Sequence, residues 1–287
     1  MTADAVTPAE YTPFRRGAIL ASVTLSQTLY GMTFLMVTVI LPQMQGSLSA
    51  TQDQISWIVT LNILATAIMT PMAGWLSATF GWRNVMLFCL AGFTFATVLC
   101  GMAESLESLI FYRIMQGGFG APMTPLSNAI LLAIYPKKQH GTVTAIFGMG
   151  VVVGPIFGPV FGGALSELYD WRWTFWLIVP ISAVAWAGLW ASLVEGGRQQ
   201  SARFDWAGFL SLSLAVTCLQ LILDRGQQED WFDSREIIIE TAIAGVALYV
   251  FVVHSLTARA PFLNPRHLLD RNYSLGLVIV LVYGMLN

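Results

Sequence analysis

The sequence predicts an all-α polytopic membrane protein. Of its 287 residues, 56% are hydrophobic and only 10% are charged, against about 25% charged in an ordinary soluble domain. Apolar runs of about 20 residues, the length needed to cross a hydrocarbon core of about 30 Å, recur along the chain. Lys and Arg crowd onto one side of those runs. With a mean hydropathy of +0.67, a net charge of −2 carries no sign of a nucleic-acid partner. Cys89, Cys100 and Cys218 all fall inside apolar runs and read as small packing residues, not a disulfide framework. His140, His254 and His267 are scattered at run ends, which argues against a metal site.

Residues 1–16 form a polar tail that closes on Arg15 and Arg16. Eight complete runs follow, over 17–42, 55–76, 85–102, 106–134, 142–165, 173–193, 206–223 and 237–256. A ninth begins near Tyr273; its fifteen residues to Asn287 make about 22 Å of helix, too short for the core. The expectation is therefore an N-terminal piece of a longer protein. Two connections are longer than the rest, 195–205 and 257–272. They divide the chain into a six-helix bundle over 17–194, a linker over 195–205, an added helix pair over 206–256, and a loop with the start of a truncated ninth helix over 257–287.

Arg15, Arg16, Arg83, Lys137, Lys138, Arg198, Arg203, Arg259, Arg266 and Arg271 lie on the N-terminal side of these spans, and only Arg172, Arg225 and Arg235 lie opposite. That asymmetry predicts a cytoplasmic N-terminus. Arg113 is left inside a span.

The fifth run organises the chain. It reads GMGVVVGPIFGPVFGGAL over 148–165, with Gly150, Gly154, Gly158 and Gly162 at every fourth position. At about 100° per residue four steps drift only about 40°, so these glycines share one stripe. A glycine stripe lets a second helix backbone approach closely, and packing drives helix association in lipid. Pro155 and Pro159 keep the same spacing on the next stripe. Each proline frees a carbonyl one turn back, which lipid alone cannot satisfy. The expectation is a bent helix packed on other helices in the middle of a bundle.

In the fourth run, Arg113, Gln116, Gly117, Gly120, Thr124, Ser127 and Asn128 share a face at three- and four-residue spacing, and Pro122 and Pro125 interrupt the helix. An Arg at mid-helix costs about 2.5 to 3.5 kcal/mol. It either snorkels or pairs with Glu104 or Glu107, or it faces a water-filled cavity. The first run has a broader polar side of Thr24, Gln27, Tyr30, Thr33 and Thr38, and Asn62 lies in the second. Hydroxyls can bond their own helix backbone, so Gln27 and Tyr30 are the stronger lumen candidates. The turn GWLSATFGWRNVML over 74–87 spaces Gly74 and Gly81 ahead of Arg83, which suits a tight connection with a basic anchor. Tyr169, Trp171, Trp173, Trp176, Trp206 and Trp231 sit near run ends and read as an interfacial belt. The stretch LDRGQQEDWF over 223–232 reads as a loop with a Gly turn. No P-loop, GxSxG or HExxH is present, so the sequence asks for no cofactor, metal or catalytic set.

These residues resemble the major facilitator superfamily, in its fourteen-helix drug:proton antiporter type, the EmrB/QacA group. The resemblance runs over essentially the whole chain. Gly74, Gly81 and Arg83 are similar to the family's loop motif between helices two and three. Leu109, Arg113, Gln116, Gly117 and Ala121 are similar to its helix-four motif. Gly150, Gly154, Pro155, Gly158, Gly162 and Gly163 are similar to its helix-five antiporter motif. Two positions depart from the pattern: Thr33 stands where the first helix carries an acid implicated in proton coupling, and Ala78 stands at the loop-motif Asp. Either another acid then takes the proton, Asp224, Glu240 or one in the missing half, or the coupling differs.

The resemblance implies an inner-membrane efflux permease for small hydrophobic substrates, working by alternating access. It further implies a pathway lined by Arg113, Gln116, Gln27, Tyr30, Thr33, Asn62 and Asn128. The fifth helix would be a hinge and a close-packing face against the missing half. A periplasmic adaptor and an outer-membrane channel are the implied partners. The early stop leaves a second reading, a non-transporting membrane protein such as a relic, a sensor or an assembly subunit.

Overall fold

The structure is a computed structural model describing residues 11–196, 204–258, 261–263 and 265–286. Residues before Tyr11, along with Arg198, Arg203, Arg259 and Asn287, lie outside the described residues. Eleven helices are seen among the described residues: α1 Pro13–Ser47, α2 Gln52–Met69, α3 Ala73–Phe80, α4 Trp82–Gly101, α5 Leu106–Gly120, α6 Met123–Ile134, α7 His140–Leu168, α8 Arg172–Ser192, α9 Trp206–Arg225, α10 Arg235–Thr257 and α11 Arg271–Leu286. Seven stretches, one of them α2 joined through a 3-10 turn to α3, are long and apolar enough to cross a membrane. The expected fourth span is delivered in two pieces, α5 and α6. It breaks at Ala121–Pro122, while Pro125 sits inside α6 without interrupting it.

Local chemistry explains the starts. Thr12 caps α1 by accepting from Arg15 N–H, with Pro13 in the first turn. Thr51 with Gln54, and Ser105 with Ser108, form reciprocal capping boxes at α2 and α5. At 74–87 the expectation of a loop is corrected. Gly74 lies within α3 and faces open space, and Gly81 alone makes the turn, at φ +83°. Arg83 already belongs to α4. At 223–232, Gly226 is right-handed, and the left-handed residues are Asp230 and Trp231. Trp171 is no belt residue either: it is 2% exposed and donates through Nε1 to Ser47 Oγ at 2.8 Å.

The chain forms two compact units, Met1–Ser201 and Ala202–Asn287. In the first, α1 has its most extensive neighbour in α7, then α8; α5 packs on α2 and α4, and α4 on α8. The glycine stripe of α7 is buried against α1. A Cβ on Gly150 would stand 2.2 Å from Thr24 Cγ2, one on Gly154 2.2 Å from Thr28 O, and one on Gly158 2.6 Å from Met32 O. One on Gly162 would meet the Met36 side chain at 2.8 Å. Thr24, Thr28, Met32 and Met36 repeat every fourth residue, so two matching stripes lie in register. Thr28 Oγ1 donates to Gly150 O at 2.9 Å across the contact. Gly31 gives Pro155 room, its Cβ position lying 3.0 Å from Pro155 Cδ. The partner of the glycine face is α1 of the same unit. The opposite face of α7, with Met149, Ile156 and Val160, is exposed.

Helix α8 is tied at both ends. Arg172 Nη2 donates to Ala103 O at 2.8 Å where α8 begins. At its other end Arg15 Nε donates to Ser192 O at 2.6 Å, Arg83 Nε to Leu193 O at 2.7 Å, and Trp82 Nε1 to Val194 O at 3.1 Å. Arg83 is thus a cap on carbonyls that a helix end leaves without partners.

In the second unit α9 packs along α10. Arg225, in the last turn of α9, bridges Glu229 at 3.0 Å and also Glu236.

Gly154→Leu is expected to destabilise the detergent-solubilised protein by about 3 kcal/mol, the upper range for overpacking, because the added carbons meet backbone. Gly148→Leu, where a Cβ meets nothing within 4 Å, is the matched control and should leave thermal unfolding unchanged.

Candidate functional site: a polar seam around Arg113

Arg113 is 1% exposed. Gly117, one turn further along α5, sets its surroundings. A Cβ there would stand 2.4 Å from Asn62 O and 3.1 Å from Thr66 Oγ1, so its absence lets α2 lie directly on α5. At that approach the two helices exchange bonds with each other's backbone. Arg113 Nε donates to Ile58 O at 3.4 Å, and Asn62 Nδ2 donates to Arg113 O at 2.7 Å. Ile58 and Asn62 are one turn apart, so a single face of α2 serves both.

The remaining bonds follow from which groups can donate. Arg113 Nη1 donates to Gln116 Oε1. The Gln116 amide then turns its Nε2 to Thr97 Oγ1 on α4, at 2.7 Å, and Thr97 donates on to Phe93 O at 2.7 Å. On α2, Thr66 Oγ1 donates to Asn62 O at 2.8 Å. Its proton is thereby committed, so in the 2.9 Å contact with Tyr30 the phenol is the donor. The Tyr30 ring lies over Gly120, whose Cβ would stand 2.2 Å from it. A continuous seam therefore joins α1, α2, α5 and α4 through Tyr30, Thr66, Asn62, Arg113, Gln116 and Thr97.

Magnitudes account for the burial. Placing an Arg at mid-span costs about 2.5 to 3.5 kcal/mol. A hydrogen bond from a charged group returns about 1.5 to 3 kcal/mol, and the long Ile58 contact belongs at the low end. Two such bonds offset the penalty without a carboxylate. Among the described residues the ion pairs are Arg172–Asp170, Arg225 with Glu229 and Glu236, and His254–Asp205; Arg113 is in none of them.

Arg113, for which a water-filled cavity is one expectation, is buried among the described residues. Its guanidinium is enclosed among α2, α4 and α5, and it neither snorkels nor meets Glu104 or Glu107. Asn62, Gln116 and Tyr30 join it. Gln27, 5% exposed, accepts instead from Thr124 on α6 at 2.9 Å. Thr33, 2% exposed, donates to Tyr30 O at 2.6 Å, so its hydroxyl is committed to its own helix. Asn128 is half-buried on α6 and outside the seam. Thr66 and Thr97 were not singled out in the sequence. A signal for Thr66 existed in the four-residue spacing of Asn62, Thr66 and Thr70, whereas nothing in the α4 sequence marks Thr97. Separately, an apolar groove of about 540 Å³ lies beside the α5–α6 break, lined by Met69, Leu76, Phe80, Val85, Phe88 and Phe119 among others.

Comparisons with known proteins agree with this architecture. The chain is 38% identical over 278 residues to the multidrug export protein EmrB of Haemophilus influenzae, covering 93% of this chain and 53% of that protein. It is 35% identical over 277 residues to EmrB of Escherichia coli K12, covering 94% and 54%. It is 34% identical over 277 residues to the fatty acid resistance protein FarB of Neisseria gonorrhoeae, again covering 94% and 54%. The chain thus spans about half the length of the curated relatives it matches. Among solved structures, the human organic anion transporter MFSD10 (TETRAN) superposes with a TM-score of 0.58 at 14% identity, over 86% of this chain and 72% of that one, a likeness of fold. The profile of the Major Facilitator Superfamily matches residues 23–287, and this multi-pass membrane chain belongs to that superfamily.

Proposed function

We propose that the whole protein is a secondary active transporter of the bacterial inner membrane, with its N-terminus cytoplasmic, exporting small hydrophobic compounds in exchange for protons. Residues 17–194 form one six-helix half, 195–205 a linker, 206–256 an added pair, and 257–287 the entry to a second half. Two halves rock about a site near the midplane, as in other carriers of this architecture. The supporting observation is the seam: a buried cation held entirely by neutral groups, joining four helices of one half. It makes that half a rigid body, which a rocking mechanism needs. Relatives named for multidrug export and fatty acid resistance support a hydrophobic substrate class. The resemblance to EmrB-type permeases supports a periplasmic adaptor and an outer-membrane channel as partners.

Proton coupling in this chain runs without an acid on α1, since Thr33 cannot titrate near neutral pH and its hydroxyl bonds Tyr30 O. Candidates for the acid are Asp224 on α9, Glu240 on α10, or a carboxylate in the part of the relatives that this chain does not span. Glu240 Oε2 is buried and without a hydrogen-bond partner.

Two measurements test the reading. In everted vesicles carrying the full-length protein, dye export should stop when a protonophore collapses the proton gradient; export that continues rules out proton exchange. Arg113→Ala should cut export about 10- to 100-fold at unchanged abundance, the loss expected from one or two charged hydrogen bonds. Gly117→Ala should approach the same defect, because its methyl would push Asn62 off Arg113. Wild-type export in both variants would remove the seam from the mechanism.

A further inference from the structure

Asp205 precedes α9, and its side chain is 11% exposed. Three donors from three separate segments converge on it. Gly208 N–H, in the first turn of α9, reaches Oδ1 at 3.0 Å. His254 Nε2, in the last turn of α10, lies 2.8 Å from Oδ1. Phe262 N–H, in the stretch after α10, reaches Oδ2 at 2.9 Å. An N-cap needs only the first of these. Nearby, Phe262 packs edge-on against Phe204 and Phe209, which are tilted to each other, with ring centroids 5.4 to 5.6 Å apart. Gly208 leaves the space for it: a Cβ there would stand 2.4 Å from Asp205 Oδ2 and 3.2 Å from Phe262 Cβ. The sequence alone placed Asp205 at the end of a linker and Phe262 in a loop of sixteen residues, 257–272, with nothing to join them.

We propose that Asp205 is a latch that fastens the chain leaving α10 onto the entrance of α9, so that the added pair and residues 261–263 move as one piece. Its mechanical role rests on the transporter reading above: a stretch pinned in this way transmits displacement along the chain where a slack loop would absorb it. Donors on two helices and one loop hold a single carboxylate, so removing it releases all three attachments together. The titratable group facing it is His254, which hydrogen-bonds the carboxylate as neutral Nε2–H or as imidazolium. Burial raises the Asp205 pKa, but the bonds from Gly208, Phe262 and His254 outweigh it and hold the carboxyl below its usual range. A depressed carboxyl contributes stability that is present above its unfolded value, about 3.9, and lost only as pH falls through the lower folded value. The latch therefore stays closed from pH 5 to 8.

The test is hydrogen exchange on the full-length protein in nanodiscs, comparing Asp205→Ser with wild type. Serine still caps α9 but is too short to hold Phe262 or His254. The amide of Phe262 should exchange about tenfold faster, the value of one lost bond near 1.4 kcal/mol, while the first turn of α9 keeps its protection. Wild-type protection of Phe262 should be flat from pH 5 to 8 once intrinsic rates are divided out. Unchanged exchange at Phe262 in Asp205→Ser overturns the latch. Faster exchange with wild-type dye export in the same variant overturns its mechanical role. Should wild type itself export nothing, the transport reading fails while the exchange data still decide the latch.

Discussion

In the first unit, the close approach of α1 and α7 is the constraint on which the other contacts depend. In hydrocarbon there is no solvent-driven burial between helices, so association rests on packing and on interhelical bonds. Gly150, Gly154, Gly158 and Gly162 clear a stripe along the contact edge of α7, and Thr24, Thr28, Met32 and Met36 of α1 fill the space. The same α1 carries Tyr30 to the seam and meets α8 through Ser22, against which a Cβ on Gly188 would stand 2.3 Å away.

The seam shows how a charge survives in such an interior. Removing a partner from a buried cation is far more damaging than the net worth of the pair, so the neutral acceptors around Arg113 hold it in place. Arg113 donates to Gln116 Oε1 and Ile58 O, and Thr33 bonds the backbone of its own helix. The polar face on α5 fastens helices of this unit to one another.

The second unit uses the opposite economy. Its helices α9 and α10 expose apolar side chains such as Leu219, Val246 and Tyr249 along most of their length, as helices surrounded by lipid do. Its specific bonds gather at the ends, where Arg225 meets Glu229 and Glu236 and where Asp205 gathers three donors.

Much of this protein was legible in the residues themselves. Composition and run length determined an all-helical membrane chain, and the four-residue glycine period determined that one helix is closely packed on a neighbour. The spacing of Arg113, Gln116, Gly117 and Gly120 determined a shared face. Those are one-dimensional properties: hydropathy and helical period depend on neighbours within two turns. What faces each stripe is not one-dimensional. Only the tertiary structure decided that the glycines meet α1, that Arg113 is closed over by α2 and α4, that Arg83 caps α8, and that Asp205 and Phe262 touch. In each case the partner lies tens of residues or more away, and a helix repeating every 3.6 residues offers the same edge to any neighbour until packing selects one.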